Sequence, residues 1–265
     1  MTVQESPDEV ITWSTEERVQ VVRMHRPPAN ALGLPIVDGL SRALDAFDAS
    51  DARVLVIVSE LDGFFAAGAD IKLMGGYSEA GDTKSFTEYG ERLREPLSRL
   101  YHHDRPSIAA IEGLALGGAM ELALACTLRV GSSDARMGLP ESKIGLIPGA
   151  GGTQRLPRLV GRARALDLML TARDTDAAEA YTIGLLDRLV EPGDAEAEAM
   201  KLAKVLLARS GAALTQVMRC VDDSDDLPLE QGLAREAERV TELFAGPEGR
   251  EGLRAFIEKR RPDYA

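Results

Sequence analysis

Residues 115–125 read ALGGAMELALA, and Glu121 is the one ionisable side chain among them. An unpaired carboxylate in apolar surroundings costs on the order of several kcal/mol, or takes up a proton instead. Gly117 and Gly118 stand where strand character gives way to helix character, and the first N–H groups of a helix have no intrahelical acceptor. Gly118 and Glu121 share one helix face. That small patch therefore offers a backbone donor for a negative oxygen beside a carboxylate able to move a proton. A structural alternative is a glutamate stabilised by the positive end of a helix dipole. The absence of any polar face around Glu121 favours the chemical role.

A second carboxylate, Glu141, lies in GLPESKIGLIPGAGGTQRL (residues 138–156), next to a glycine-rich stretch. Alone it reads as a surface or ion-paired glutamate. Facing Glu121 across one site, it would form a pair that splits acid and base roles. A third stretch, FFAAGADIKLM (residues 64–74), puts Gly68 at another loop-to-helix start. Its N–H groups could supply a second donor, and two converging donors make an oxyanion hole.

These segments need a scaffold. The strand candidates are Val19–Met24, Arg53–Glu60 and Ser107–Gly113. Helical patterns lie between them, with Ile36, Val37, Leu40, Leu44 and Phe47 on one face after Pro35, and a long helix around Phe86–Tyr101. Such alternation predicts an α/β core. Beyond about residue 151 helical patterns dominate, apart from a short strand at Leu186–Val190. Leu229, Leu233, Ala237, Val240 and Phe244 share a helix face, and a last helix covers roughly residues 249–259. The expected division is an α/β core over residues 1–194 and a helical region over residues 195–265. No readable motif falls in residues 75–95.

The chain has 265 residues, ample for one substantial core, and a formal net charge of −12 with no basic run. That excludes it as an ordinary nucleic-acid or anionic-membrane binder. Cys126 and Cys220 are far apart and belong to no C-x-x-C motif, which fits core thiols in a reducing, cytoplasmic setting. The start, MTVQESPDEV, has neither the basic nor the apolar run of a signal peptide. Ile108–Leu128 is the most membrane-like segment, but Glu112 and Glu121 interrupt it and it splits into strand-like and helix-like halves, so no membrane span is expected. His102 and His103 in YHHDR read as a polar helix end, and GAGGTQ (residues 149–154) as a tight turn before a helix.

In the order AAGADIK, ALGGAMELA and LPESKIGLIPGAGGTQRL, with RPPANALG (residues 26–33) before them and EGLRAFIEKRRP (residues 251–262) after, the chain resembles the enoyl-CoA hydratase/isomerase (crotonase) superfamily. The similarity runs from about residue 19 to the C-terminus. It implies a crotonase-like spiral of β-β-α turns with a C-terminal helical trimerisation region, assembled as a homotrimer or a dimer of trimers. It implies an acyl-CoA thioester substrate, no metal and no separate cofactor, coenzyme A being part of the substrate. Carried over by motif, Glu121 and Glu141 are the catalytic pair and Ala69 and Gly118 the oxyanion-hole donors. Ala29, Ala31, Ala67, Asp70 and Lys72 line the coenzyme site, and Gly149 borders the reacting end of the acyl group. Arg26, Lys72 and Lys259 are candidates to meet phosphates. Many relatives have glycine where this chain has Ala119, and some have a polar residue in place of Leu139.

The resemblance implies reversible hydration of 2-enoyl-CoA to 3-hydroxyacyl-CoA, as in fatty-acid β-oxidation. Alternatives are a Δ3,Δ2-enoyl-CoA isomerase, which needs only the carboxylate at Glu141, and a non-catalytic acyl-CoA-binding protein on the same scaffold. Peptidase chemistry is disfavoured because no G-x-S-x-G elbow is present.

Overall fold

The computed structural model describes residues 10–264. The N-terminal reading of residues 1–9 lies outside them.

Two short sheets stack along a spiral. A hairpin, β1 (Ile11–Glu16) and β2 (Val19–Met24), leads into helix α1 (Leu34–Ala49). Strands β3 (Val54–Ser59) and β4 (Phe64–Ala66) are followed by α2 (Ile71–Glu79) and α3 (Thr83–Tyr101). Strands β5 (Ser107–Ile111) and β6 (Leu114–Leu116) precede α4 (Gly118–Ala125). Strands β7 (Leu128–Ser132) and β8 (Arg136–Gly138) precede a 3-10 turn at Glu141–Ile144, then α5 (Gly152–Val160) and α6 (Arg162–Thr171). Next come β9 (Asp174–Asp176), α7 (Ala177–Thr182) and β10 (Arg188–Val190). Four helices close the chain: α8 (Ala195–Leu207), α9 (Gly211–Asp226), α10 (Leu229–Ala245) and α11 (Pro247–Ile257).

The larger sheet runs β1-β2-β3-β5-β7-β10 and the smaller one β4-β6-β8-β9. After the opening hairpin, the strand pairs β3/β4, β5/β6 and β7/β8 each give one strand to each sheet, parallel to its predecessor, whereas β9 joins the smaller sheet antiparallel to β8. The expected α/β spiral of β-β-α turns is the observed architecture.

The apolar run VLVIVS of β3 is buried on both faces, as a parallel strand between two layers must be. Leu55 and Ile57 point into the main core with α1, α3 and α4. Val54, Val56 and Val58 point the other way, where Ala195, Ala199 and Ala203 of α8 meet them. Small alanines let α8 lie close to the sheet, so this helix packs on the core while α9–α11 continue beyond it. The segment 108–128 divides into β5, β6, α4 and the start of β7, and among the described residues no helix is long and apolar enough to cross a membrane.

Several elements escaped the sequence reading. Strands β4, β6, β8 and β9 have three residues each, too short to show a period. The helix start expected at the Gly68 stretch is that of α2, although Gly75-Gly76 lowers the intrinsic helicity of this helix. Its start is secured instead by Asp70, whose side chain accepts from the Leu73 N–H at 3.2 Å.

The loop before α1 is tied down by Asn30, buried and with φ 51°. Its Oδ1 accepts from the Arg26 N–H at 2.6 Å, and its Nδ2 donates to Ser59 Oγ at 2.8 Å. This fixes residues 26–33 against the ends of β2 and β3, beside the Gly68 loop.

Candidate active site

Ala69 and Gly118 come from different turns of the spiral, yet their backbones almost touch. A Cβ built on Gly118 would lie 3.4 Å from the Ala69 nitrogen. Gly68 permits this approach: its φ is 91°, and a Cβ there would meet the Leu116 carbonyl oxygen at 2.7 Å. Gly118 opens α4, so its N–H precedes any intrahelical acceptor. Neither the Ala69 nor the Gly118 N–H finds an acceptor among the described residues.

The Gly68–Asp70 segment is clamped on both sides. Leu32 N–H donates to the Gly68 carbonyl at 2.7 Å. The buried Tyr89 hydroxyl accepts from the Asp70 N–H at 3.2 Å and donates to the Leu32 carbonyl at 2.6 Å. Arg26 bridges the same strands of chain, reaching Asp70 Oδ2 at 2.8 Å and the Ala31 carbonyl at 2.6 Å. Opposed by burial, the Arg26 bond and the α2 N–H groups hold the Asp70 carboxyl below its ordinary range. Tyr89 and the Arg26–Asp70 pair were not legible as a clamp, because their partners are backbone atoms far along the chain.

Glu121 is 2 % exposed. Its Oε1 accepts from the Ala150 N–H at 2.7 Å and the Gly152 N–H at 2.8 Å. The GAGGTQ segment is therefore more than a turn before α5, since its amides hold the buried carboxylate. Arg155 supports it, donating to the Ala150 carbonyl at 3.0 Å with its guanidinium over the Tyr101 ring. Burial raises the Glu121 carboxyl, while the two N–H donors and the charges of Arg155 and Arg94 pull it down.

Glu141 opens the 3-10 turn after β8, with Oε2 buried and without a hydrogen-bond partner among the described residues. A Cβ on Gly117 would lie 2.9 Å from Glu141 Oε1, so the glycine at φ 56° leaves the room this carboxylate occupies. Burial pushes the Glu141 carboxyl up to about 7, and the Glu121 charge adds to the rise. Both glutamates, with Ala69 and Gly118, border one cavity of about 570 Å³. Its walls are otherwise largely apolar, including Met74, Phe86, Leu93, Ile144, Leu146 and Ile147. A neighbouring space of about 460 Å³ shares Ile71, Met74, Phe86, Ile144 and Leu146 with it.

Of the other expected site residues, Ala67 and Gly149 also line the larger cavity. Ala29, Ala31, Asp70 and Lys72 lie off it. The Ala29 carbonyl accepts from the Ala67 N–H at 2.9 Å. Lys72 is exposed on α2, while Asp70 and Ala31 are engaged with Arg26. His103 pairs with Asp48 at 2.8 Å beyond the end of α3, away from the cavity. Among the described residues no group of three His, Cys, Asp or Glu side chains is arranged to hold a metal ion.

The comparisons with known proteins agree with this architecture. The sequence profile of the enoyl-CoA hydratase/isomerase family matches residues 14–265. A protein of Bacillus subtilis named "Probable enoyl-CoA hydratase" is 39 % identical over 259 residues, covering 96 % of this chain and 98 % of its own. The mitochondrial methylglutaconyl-CoA hydratase of Mus musculus is 39 % identical over 242 residues, or 89 % of this chain and 75 % of its own. Among solved structures, the enoyl-CoA hydratase of Bacillus anthracis superposes with a TM-score of 0.91 at 32 % identity, covering 96 % of this chain and 98 % of that one. With near full-length similarity in both sequence and fold, this chain belongs to the enoyl-CoA hydratase/isomerase family.

Proposed function

We propose that the protein catalyses reversible hydration of 2-enoyl-CoA thioesters to 3-hydroxyacyl-CoA. The observation that carries this reading is the meeting of two carboxylates, the buried Glu121 and the half-buried Glu141, with the unengaged N–H groups of Ala69 and Gly118 on one cavity. Water adding at C3 sends electron density onto the thioester oxygen. The two N–H groups receive that developing charge, where differential stabilisation lowers the barrier. Glu121, its Oε1 fixed by two amide donors, takes the proton of the attacking water. Glu141, unpartnered and titrating near neutrality, keeps its proton and delivers it to C2. The reverse sequence eliminates water. The apolar walls exclude bulk solvent from the enolate.

Ala67 and Gly149 border the thioester and acyl portions. Ala29, Ala31, Asp70 and Lys72 shape the approach of the coenzyme, Asp70 by holding the loop and Lys72 as a surface cation. Exposed Leu229, Val240 and Phe244 on α10 with Phe256 and Ile257 on α11 support association into a homotrimer or a dimer of trimers. Light scattering on the purified protein tests that assembly. Two free thiols suit a cytoplasmic enzyme.

The test is turnover of crotonyl-CoA by Glu121→Gln and Glu141→Gln, followed at the conjugated-thioester absorbance. Each folded variant is expected to lose about 10²–10⁴-fold in kcat. Near-normal hydration by either would refute the paired mechanism. Isomerisation of a 3-enoyl-CoA with no hydration of the 2-enoyl-CoA would assign the site to the isomerase reaction.

A further inference from the structure

Arg94 is an exposed cation bordering the cavity with no carboxylate among the described residues in ion-pair contact. It lies on the same face of α3 as Phe86, Gly90 and Leu93, all of which border the 570 Å³ space. Its hydrogen bond is a long one, 3.4 Å from Nη1 to the Gly149 carbonyl. Among the described residues no carboxylate pairs with it. The guanidinium folds back over Gly90, where a Cβ would stand 3.3 Å from Nη1. The other cation of the lining, Lys143, lies where its charge acts on Asp174, which also carries the Arg136 pair.

The position of Arg94 is close to the reacting end. Gly149, which it touches, directly precedes Ala150, whose N–H holds Glu121 Oε1. The Arg94 charge reaches Glu121 as well. A guanidinium with unused donors, set a short way from the acid–base pair in a mostly apolar wall, matches a carboxylate in both charge and fork geometry. We propose that Arg94 binds a carboxylate at the far end of a short acyl chain, so that the preferred substrates are short 2-enoyl-CoA thioesters bearing a terminal carboxylate. This inference rests on the hydratase reading for its reaction and on the cavity alone for its binding partner.

The experiment has a kinetic arm and a binding arm. The kinetic arm compares kcat/KM for glutaconyl-CoA and for the neutral pent-2-enoyl-CoA, in the wild type and in Arg94→Leu and Arg94→Lys. The wild type is expected to favour the carboxylate-bearing thioester. The leucine variant should lose that preference by about tenfold to a hundredfold, the scale of a charged hydrogen bond, and lysine should restore part of it. The binding arm measures the affinity of the saturated analogues glutaryl-CoA and valeryl-CoA by calorimetry, which requires no turnover. An Arg94-dependent preference for glutaryl-CoA without hydration of any enoyl-CoA would sustain the subsite and remove the hydratase reading. Hydration with equal preference for the two thioesters, or a preference that Arg94→Leu leaves intact, would overturn the subsite.

Discussion

The Tyr89 hydroxyl donates to the Leu32 carbonyl at 2.6 Å while receiving the Asp70 N–H at 3.2 Å. One phenol thereby ties the Ala69–Asp70 segment to Leu32, the residue bridged to Ala69. Tyr89→Phe deletes both bonds and leaves the Asp70 N–H without its acceptor. It is expected to cost about 1 kcal/mol of stability. Because the Ala69 N–H loses its fixed direction, kcat for crotonyl-CoA should fall by about tenfold with KM changed far less. Denaturant melts and steady-state kinetics check the two parts. Equal changes in kcat and KM would point to general loosening of the pocket rather than to a positioned donor.

Gly68→Ala should disable the site more severely. The new methyl would meet the Leu116 carbonyl at 2.7 Å in a backbone conformation, φ 91°, that side chains disfavour. Relief requires moving the Gly68–Ala69 peptide, and with it one donor of the pair. Loss of about 10²–10³-fold in kcat is expected, the scale of one missing oxyanion donor. A folded Gly68→Ala protein with near wild-type kcat would disprove the assignment of the Ala69 N–H.

Glu141 gives a pH signature independent of turnover. Its carboxyl stands at about 7 in the folded chain against an ordinary value of 4.5. The folded state therefore holds a proton that the unfolded state has released. The resulting stabilisation is complete below pH 4.5 and is lost as pH rises through about 7. Glu141→Gln carries no such proton. The melting temperature of this variant minus that of the wild type should grow steadily more favourable from pH 5 to pH 8, about the window named. A difference independent of pH would show that Glu141 is not held in its acidic form.

Encounter with a polyanionic thioester should depend on local cations, because the chain as a whole carries −12. Lys72, exposed on α2, is the expected contributor beside the clamp of Arg26 and Asp70. KM for crotonyl-CoA is predicted to rise with ionic strength, and Lys72→Glu to raise it further at low salt. A KM indifferent to salt in both proteins would dismiss the cationic rim.

The groups with a reason to stand out in the sequence were the ones found there. Glu121 could be singled out because a carboxylate among alanines and leucines has no cheap structural explanation. β3 and β5 could be placed because strands buried on two faces must be continuously apolar. What holds those groups was not legible. The donors to Glu121 are the amides of Ala150 and Gly152, and an amide has no side-chain signature. Tyr89 and Arg94 lie in the stretch that carried no motif, on a helix whose remaining faces look like any amphipathic surface. Only the packing of α3 against the Gly68 loop and the 145–151 segment gives them meaning. The three-residue strands of the smaller sheet were invisible for a related reason: their register is set by the turn of the spiral below, not by their own composition.

The support of Glu121 by main-chain amides has a consequence for how such a protein can change over generations. A side-chain exchange at Ala150 cannot delete its N–H; only proline does so. The same cavity is also lined by Ile144, Leu146 and Ile147, which are 55 %, 38 % and 75 % exposed. Those positions can drift with little penalty to folding. Inheritance can thus reshape what the pocket admits while the main-chain cradle of Glu121 stays in place.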